Sequence, residues 1–418
     1  MIRHRARPAF FLVAVVALVA GCTTSVDGSA VKSAGGPPAG TVDVALLDPG
    51  NYSTKPVAPM GVAGNPGKGS LLDAQRMADF VIGPWEVDST LVTKNPFGFS
   101  GGAMPLQSDA LEVVMVPEAA QAGYRHQFLN GYASYREAKG QKKLFNVVLR
   151  MADPESASAA AREMAKATLD KPVELVPPVT KSAMPIPGHP EANAVSQSFF
   201  DSAEEKVNWN VVDSFAAHGP YVLMQRASVT SASLNPPDVA AGLAAAAGLI
   251  AKAIDLQGPR IDGFTPTDPA QFVNLPRDPS GLLVKALPVP KGSANVNNNV
   301  TWGFHAMLHY QDEPLVSAKV FGDAGVDVAV VGVGWVYQAR DPAGAGIVAD
   351  DANRLLASGG ATPVDPVPNL PDSRCFKYSD GGFVCVATAG RYEFEESDFQ
   401  LNDVYQRTAA QYTLLAAK

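Results

Sequence analysis

A serine in a glycine-rich segment is the first residue whose surroundings could support catalysis. Gly98-Phe-Ser100-Gly-Gly102 fits the pattern in which a hydrolase holds a serine nucleophile on a tight turn between a strand and a helix. Here Asn95-Pro96 stands in place of the strand, and Met104-Pro105 in place of the start of a helix. The neighbours therefore favour a glycine-rich loop. A serine hydrolase that uses Ser100 with a distant His and Asp is kept as an alternative hypothesis.

Two histidines four residues apart form the second candidate. On a helix, His305 and His309 would share one face, as metal ligands in zinc hydrolases do. Ala306 occupies the position where such an enzyme carries its catalytic glutamate, and no third ligand follows at a suitable spacing. We therefore expect no metal at this pair, and histidines on a helix surface or in a hydrogen-bonded core are the favoured interpretation.

Cys375 and Cys385 lie symmetrically about the turn sequence Asp380-Gly381-Gly382, with a short strand-like run on each side. This arrangement predicts a hairpin in which the two cysteines face each other. In an oxidising compartment they would form a disulfide. Because the loop that it closes is short, the bond would stabilise the fold by only about 2–3 kcal/mol. A free or redox-active pair and a metal site are the alternatives, and a metal would need further ligands nearby.

Cys22 follows a basic segment and an apolar run of twelve residues, Ala9 to Ala20. The run has the length of a signal-peptide core and is too short to span a bilayer. Val19-Ala20-Gly21-Cys22 resembles the lipobox of bacterial lipoproteins, in which the cysteine thiol receives diacylglycerol and the cysteine becomes the mature N-terminus. The expected location is the extracytoplasmic face of the cell membrane, with the lipid as anchor. The alternative is an ordinary cleaved signal with a chance cysteine.

Composition limits the classes of partner. The chain has 33 basic and 41 acidic residues, and removal of residues 1–21 would leave a formal charge of about −11 because that segment holds three basic and no acidic residues. An acidic protein is a poor match for nucleic acid, so none is expected as a partner. No cofactor is expected either. The low charged fraction, 18%, and the abundance of Ala, Gly, Val and Pro are typical of actinobacterial proteins.

The elements that must position these residues recur in the two halves of the chain. A strand that runs into Asp153-Pro154 precedes a helix over 155–169, and a strand that runs into Asp341-Pro342 precedes a helix over 343–358. In both halves the Asp is the predicted N-cap and the Pro the first helical residue. A P-x-P-x-x-P segment (185–190 and 366–371), hairpin-like strands and a closing helix follow each time. The shared order predicts an internal duplication.

These observations predict an α+β fold of two related lobes, each an antiparallel sheet with helices packed on one face. The predicted segments are a signal peptide (1–21), a flexible tether (22–41), a first lobe (42–257), a proline-rich linker (258–299) and a second lobe (300–418). The small and apolar segment from Gly242 to Ile254 is predicted to be a helix buried against a sheet.

Four stretches of the chain resemble an uncharacterised family of mycobacterial and nocardial envelope lipoproteins. They are residues 42–52, 75–79, 83–86 and 321–327. The resemblance covers most of the chain after the signal segment. It implies no activity, and Cys22 is the only functional residue that it carries over.

The leading hypothesis from the sequence is a non-catalytic, lipid-anchored envelope protein that binds a ligand or partner, in a groove between its lobes. An envelope protein or a small apolar ligand is the expected partner. No set of nucleophile, base and oxyanion donors assembles from the sequence, which is why enzymatic activity is not expected. A structural spacer of the envelope is a further alternative.

Overall fold

The first sheet contains seven antiparallel strands, in the spatial order β1-β2-β3-β7-β6-β5-β4. In chain order they are β1 (Gly101–Met104), β2 (Phe128–Ala138), β3 (Lys142–Met151), β4 (Lys181–Ile186), β5 (His189–Phe200), β6 (Asn208–His218) and β7 (Tyr221–Ser231). The computed structural model describes residues 42–95, 99–106, 111–172, 179–203, 205–290, 292 and 296–417. Residues Asp43–Lys418 form one compact unit.

Ten α-helices surround the sheets in the described part of the chain. They are α1 (Pro66–Met77), α2 (Pro84–Val87), α3 (Leu111–Val114), α4 (Pro117–Arg125), α5 (Pro154–Asp170), α6 (Pro236–Asp262), α7 (Phe304–Leu308), α8 (Pro314–Ala324), α9 (Pro342–Ser358) and α10 (Leu401–Ala416).

Helices cover both faces of the first sheet. Met224 on β7 packs with Met164 of α5, whereas its neighbour Leu223 lies in the cluster that contains Ile250 of α6. Successive residues of a strand point to opposite faces, so α5 and α6 lie on opposite sides. The sequence led us to expect one covered face. The reason for the difference is visible in β3, where buried residues run almost without interruption, as in strands enclosed by helices on both sides.

The second sheet repeats the topology of the first. Its strand order is β11-β12-β13-β14-β10-β9-β8, which equals the order of the first sheet when β8–β14 take the places of β1–β7. The strands are β8 (Val300–Gly303), β9 (Val328–Val331), β10 (Trp335–Gln338), β11 (Thr362–Val364), β12 (Arg374–Lys377), β13 (Phe383–Ala389) and β14 (Tyr392–Asp398). The predicted α+β class with two antiparallel sheets is confirmed, and the strand order agrees with the predicted repeat.

The second sheet also has a helix on each face. Leu356 of α9 packs on Phe376 of β12 and Val384 of β13, and both α9 and α10 contact the central strands β13 and β14. Cys385 and Glu396 are paired across those strands and so point away from α9, towards Arg407 of α10. In position along the chain, α9 corresponds to α5 and α10 to α6.

The two equivalent helices α5 and α9 begin in the same way. Asp153 accepts a hydrogen bond from the backbone nitrogen of Ser156 at 2.7 Å, and Asp341 accepts one from Gly344 at 2.8 Å. Both aspartates have extended backbone geometry, and a proline follows each of them. The two N-caps predicted from the sequence are confirmed.

The proline-spaced segments occupy equivalent hairpins. Residues 185–190 span the end of β4, the turn and the start of β5, and residues 366–371 lie between β11 and β12. Next to the second of these, Cys375 and Cys385 are directly opposite each other on β12 and β13 and form a disulfide, with their Cα atoms 4.1 Å apart.

Helix α6 is longer than the sequence led us to expect, because it continues through Gly258 to Asp262. By length and composition alone it could cross a membrane, with a mean hydropathy of 1.7 over its most apolar window. Ala246, Ile250 and Ala253 of this helix are nevertheless fully buried in the core formed with the first sheet. The helix is therefore a core element of the first lobe. Beyond it, residues 263–299 contain two 3₁₀ helices, Pro269–Asn274 and Leu283–Lys285.

Candidate functional site

The structure places the sequence candidates in different environments and does not assemble them into one site. Cys22 lies outside the described residues. Ser100 precedes β1, with its carbonyl oxygen accepting a hydrogen bond from the backbone of Tyr135 at 2.9 Å. A nucleophile elbow has a strand before the serine and a helix after it. Here the strand follows the serine, so the local structure differs from that of a hydrolase.

His305 belongs to the contact between the lobes. Its Nε2 lies 2.8 Å from Oε1 of Glu86, whose other oxygen accepts a hydrogen bond from Arg260, also at 2.8 Å. Burial alone would raise the pKa of Glu86, but His305 and Arg260 outweigh it and lower that pKa to about 2. Glu86 is therefore ionised and joins His305 of the second lobe to α6 of the first.

His309 is fully buried, and its two ring nitrogens have separate partners. Nε2 lies 3.2 Å from the carbonyl oxygen of Ala78 and Nδ1 lies 2.9 Å from the hydroxyl of Ser134. A carbonyl can only accept, so Nε2 carries the proton and Nδ1 accepts the hydrogen of Ser134. Burial lowers the pKa of His309 well below its ordinary value, which keeps the ring neutral. No group of three metal-ligating side chains occurs among the described residues.

Arg136 and Asp79 complete this contact. One nitrogen of the fully buried Arg136 reaches the second lobe, where Nη2 donates to the carbonyl oxygens of His309 at 2.9 Å and Gln311 at 2.8 Å. Asp79 accepts from the backbone nitrogens of His305 and Ala306 at the start of α7. Since each group is used to fix one lobe against the other, the histidine pair has a structural role.

A pocket of about 400 Å³ lies between α1, the segment that follows α6, and β8 of the second sheet. We call it the interlobe pocket. Its walls combine apolar side chains, among them Leu72 and Leu275, with five polar ones, namely Gln75, Arg76, Thr267, Arg277 and Thr301. This volume is in the range of small-molecule sites, which are mostly apolar with a few convergent polar groups.

The arginine on α1 is held by a buried carboxylate. Arg76 donates to Oδ1 of Asp73 at 2.9 Å and to the hydroxyl of Thr267 at 2.7 Å. Asp73 is fully buried and accepts through its other oxygen from Arg150 at 2.8 Å and from Asn130 at 3.1 Å. One carboxylate thus serves two guanidinium groups, and the triad keeps a net positive charge beside the pocket.

Two further groups in the wall lack strong partners. Arg277 has one long hydrogen bond, 3.4 Å, to the carbonyl oxygen of Met60, and no ion pair to it is found among the described residues. The hydroxyl of Thr301 is buried without a hydrogen-bond partner in the part of the chain that the structure describes. A buried hydroxyl without a partner is costly, so it marks a place where a ligand oxygen would be stabilised.

The pocket therefore combines a positive, hydrogen-bonding side with an apolar side, in a protein whose overall charge is negative. This arrangement suits an amphipathic molecule with a carboxylate or phosphate group. Sequence reasoning missed Arg76, Arg277 and Thr301. No local pattern connects them, because they come from α1, from the segment after α6 and from β8, and only folding brings them together.

The fold is that of a duplicated α+β protein with an interlobe pocket, and family models match both halves. A model described as the N-terminal part of a domain of unknown function, DUF7373, matches residues 60–277, and its C-terminal counterpart matches residues 282–418. The chain belongs to the DUF7373 family. No protein of curated function matches it in sequence.

Among solved structures, one similar chain is the extracellular domain of PknH from Mycobacterium tuberculosis. It shares 12% sequence identity with this chain, and the match covers 47% of this chain and 98% of the other, with a TM-score of 0.26. A superposition of this quality supports no transfer of function.

Proposed function

We propose that this protein is an exported, lipid-anchored binding protein without catalytic activity, and that the interlobe pocket holds an amphipathic anion. The observation that carries the proposal is the pairing of Arg277, which has no carboxylate partner in the described residues, with the unpartnered hydroxyl of Thr301. Both line a pocket whose other walls are largely apolar. Leu72 and Leu275 contact the apolar part of the ligand, and the arginines bind its carboxylate or phosphate.

Export is supported by the Cys375–Cys385 disulfide, since such bonds persist in oxidising compartments. The lipid anchor rests on the sequence around Cys22. Substitution Cys22→Ala tests it: in a mycobacterial host, the wild-type protein is expected in the detergent phase after Triton X-114 extraction and the variant in the aqueous phase. Partition of the variant into the detergent phase would disprove the anchor.

The ligand class is tested with probes that share a ten-carbon chain and differ in their head group. Isothermal titration calorimetry of the chain without its signal segment would compare decyl phosphate and decanoate with neutral decanol. The anions are expected to bind in a one-to-one ratio and the alcohol at least about tenfold more weakly, because it lacks a charge-assisted hydrogen bond to the arginines.

Arg277→Gln is the informative variant and Arg374→Gln the matched control. Arg374 is also an arginine whose hydrogen bonds go to backbone carbonyls, but it lies on β12 far along the chain from the pocket residues. Arg277→Gln is expected to weaken binding of the anions about tenfold or more, and the control variant is expected to leave their affinity unchanged. Equal binding by both variants, or equal binding of decanol, would refute the assignment. Native mass spectrometry of the exported protein would then identify the natural ligand.

A further inference from the structure

The equivalence of the two sheets allows their strands to be aligned residue by residue. Two-residue turns, Gly219-Pro220 and Gly390-Arg391, connect the last two strands of each sheet, and both glycines have positive φ. Each turn is followed by a tyrosine, Tyr221 or Tyr392. Val222 therefore corresponds to Glu393 and Met224 corresponds to Glu395.

In the first lobe these positions belong to an apolar layer between the sheet and α5. Val222 pairs with Leu149, and Met224 pairs with Val147, and all four side chains lie in one buried cluster. In this lobe the fold fills the layer as expected for a protein core.

In the second lobe the same layer, between the sheet and α9, has a different chemistry. Glu393 pairs with Tyr337, and Glu395 pairs with Trp335. The two aromatic rings are stacked, with centroids 5.5 Å apart and an angle of 10° between their planes. Two carboxyl groups and two aromatic rings thus replace four aliphatic side chains.

The carboxyl groups are not compensated within the described part of the chain. Glu393 is fully buried, and neither of its carboxyl oxygens has a hydrogen-bond partner there. The hydrogen bond that Tyr337 receives comes from Gln311 at 3.0 Å, not from the glutamate. Buried carboxyl groups without partners are expensive, so a fold retains them only where they serve a purpose beyond packing.

Glu395, two residues along the same face, opens into a pocket of about 510 Å³. We call it the acidic pocket. Its walls contain three acidic side chains, one aromatic ring and the apolar end of α9, represented by Asp312, Glu313, Glu395, Tyr378, Leu355 and Leu356. Ser358 and Gly359 bring the C-terminus of this 17-residue helix to the pocket, and the negative end of the helix dipole adds further negative potential there.

The cations near the pocket are already engaged at its edge. Lys94 lies 2.7 Å from Asp312, and Arg354 pairs with Glu313 at 2.6 Å and Asp351 at 2.8 Å. No ion pair to Glu395 occurs among the described residues. No group of three metal ligands exists in the described ranges, and the volume is that of an organic ligand.

We infer that the acidic pocket binds an organic ammonium ion, whose charge is neutralised by Glu395 with Glu393 behind it, and whose apolar part lies against Leu355, Leu356 and Tyr378. Aromatic rings beside carboxylates are a favourable environment for such a cation. This site is separate from the interlobe pocket, and its assignment does not depend on the function proposed for that pocket.

Ionisation of Glu395 controls the expected pH dependence. Burial, together with the charge of Asp312, raises the pKa of Glu395 to about 7. With its pKa raised, Glu395 is more fully ionised at pH 8 than at pH 6, and the cation should bind more tightly at the higher pH. The other titratable groups around it are Glu393 on its own strand, Tyr337 on β10, Tyr378 after β12, Asp312 and Glu313 before α8, and Arg354 on α9.

The test is calorimetric titration with phenethylammonium and with its uncharged analogue 2-phenylethanol, at pH 8 and pH 6. Saturable binding of the ammonium ion is expected at pH 8, at least about tenfold tighter than binding of the alcohol and tighter than at pH 6. Glu395→Gln, which keeps the shape of the protonated side chain, should weaken binding of the ammonium ion about tenfold or more.

Two further variants distinguish the effect of a carboxylate in the pocket from the effect of the protein's overall negative charge. Glu112→Gln removes an exposed carboxylate of α3 in the first lobe and should leave binding unchanged. Asp312→Asn removes an exposed carboxylate at the rim of the acidic pocket and should weaken binding of the ammonium ion less than Glu395→Gln does. The inference is overturned by equal affinity for the alcohol, by unchanged affinity in Glu395→Gln, or by absence of saturable ammonium binding up to about 10 mM, beyond the weak end of specific recognition.

Discussion

The two lobes have the same strand order but differ in how several of their buried carboxyl groups are compensated. In the first lobe, Asp73 is paired with Arg150 and Asp213 with Arg226. In the second lobe, Glu393 and Glu396 are fully buried, and none of their carboxyl oxygens has a hydrogen-bond partner in the described residues. The same topology thus holds these ion-paired carboxylates in one lobe and carboxyl groups without partners in the other. The shared strand order does not distinguish the lobes, but the carboxyl groups without partners point to a functional site in the second one.

The lobes also differ in how their hairpins are held. The strands of the first sheet that form its centre are 10–12 residues long, whereas those of the second sheet reach at most 7. Fewer ladder hydrogen bonds hold each short hairpin, and the disulfide lies in the hairpin of β12 and β13, which has four residue pairs. The covalent bond compensates for the smaller sheet.

Exchange of the aligned residues should produce the largest effect. Met224→Glu places a carboxyl group in the apolar layer of the first lobe and is expected to cost about 3–5 kcal/mol of unfolding free energy at pH 8. The reciprocal Glu395→Met is expected to leave the second lobe unchanged or to stabilise it by about 1–3 kcal/mol. Urea unfolding with hydrogen exchange resolved by lobe would measure both. Equal costs for the two exchanges would show that Glu395 stabilises its lobe as much as Met224 stabilises the other.

Removal of the disulfide should destabilise the second lobe alone. The double variant Cys375→Ser/Cys385→Ser is expected to lose about 2–3 kcal/mol, because the loop between the cysteines is no longer closed in the unfolded chain. Hydrogen exchange should rise in β12 and β13 and stay constant in β5 and β6. Reduction of the wild-type protein with dithiothreitol serves as control and should reproduce the loss. An unchanged second lobe would mean that the sheet needs no covalent support.

Acidic side chains of the second lobe should make its stability depend on pH. Burial raises the pKa of Glu396 to about 8, above its value in the unfolded chain, so the folded lobe holds this proton more tightly. The resulting stabilisation is complete below the unfolded pKa and is lost as the pH rises through about 8. Unfolding free energy should fall by more than about 1 kcal/mol between pH 5 and pH 8.5, one pKa unit being about 1.36 kcal/mol.

Glu396→Gln is the matched variant for this measurement and should flatten the pH profile of the second lobe. The first lobe provides an internal comparison, since its buried Asp73 and Asp213 are ion-paired. A profile that stays equally steep in the variant would assign the pH dependence to other groups.

The smallest effect should be the same in both lobes. Asp153→Ala and Asp341→Ala each remove an N-cap and are expected to cost about 1 kcal/mol. Because the caps have matching geometry, thermal unfolding should show similar losses for the two variants. A cost confined to one lobe would show that the two helix starts are equivalent in shape but not in energy.

Local features of the fold could be read from the sequence because they depend on neighbouring residues. Asp153-Pro154 and Asp341-Pro342 specify a helix start through the cap and the restricted φ of proline, whatever surrounds them. Asp380-Gly381-Gly382 specifies a turn, and the spacing of Cys375 and Cys385 about it follows from strand pairing. The recurrence of such local signals in one order also predicted two related sheets.

Features that depend on contacts between residues far apart in the chain could not be predicted from the sequence. The single covered face was a wrong expectation, because which helices pack on which side depends on the whole chain. His305 and His309 have a spacing suited to metal binding, yet Glu86, Ser134 and Ala78 of the first lobe use their nitrogens.

The sequence by itself determined the lobes, the helix starts and the disulfide hairpin, since each is specified within a few residues. Tertiary structure alone decided the two pockets. Arg76, Arg277 and Thr301 meet only when both lobes are folded, and Glu393 and Glu395 differ from ordinary strand residues only because α9 covers them. Burial and convergence give these side chains their chemistry, and both are properties of the packed chain.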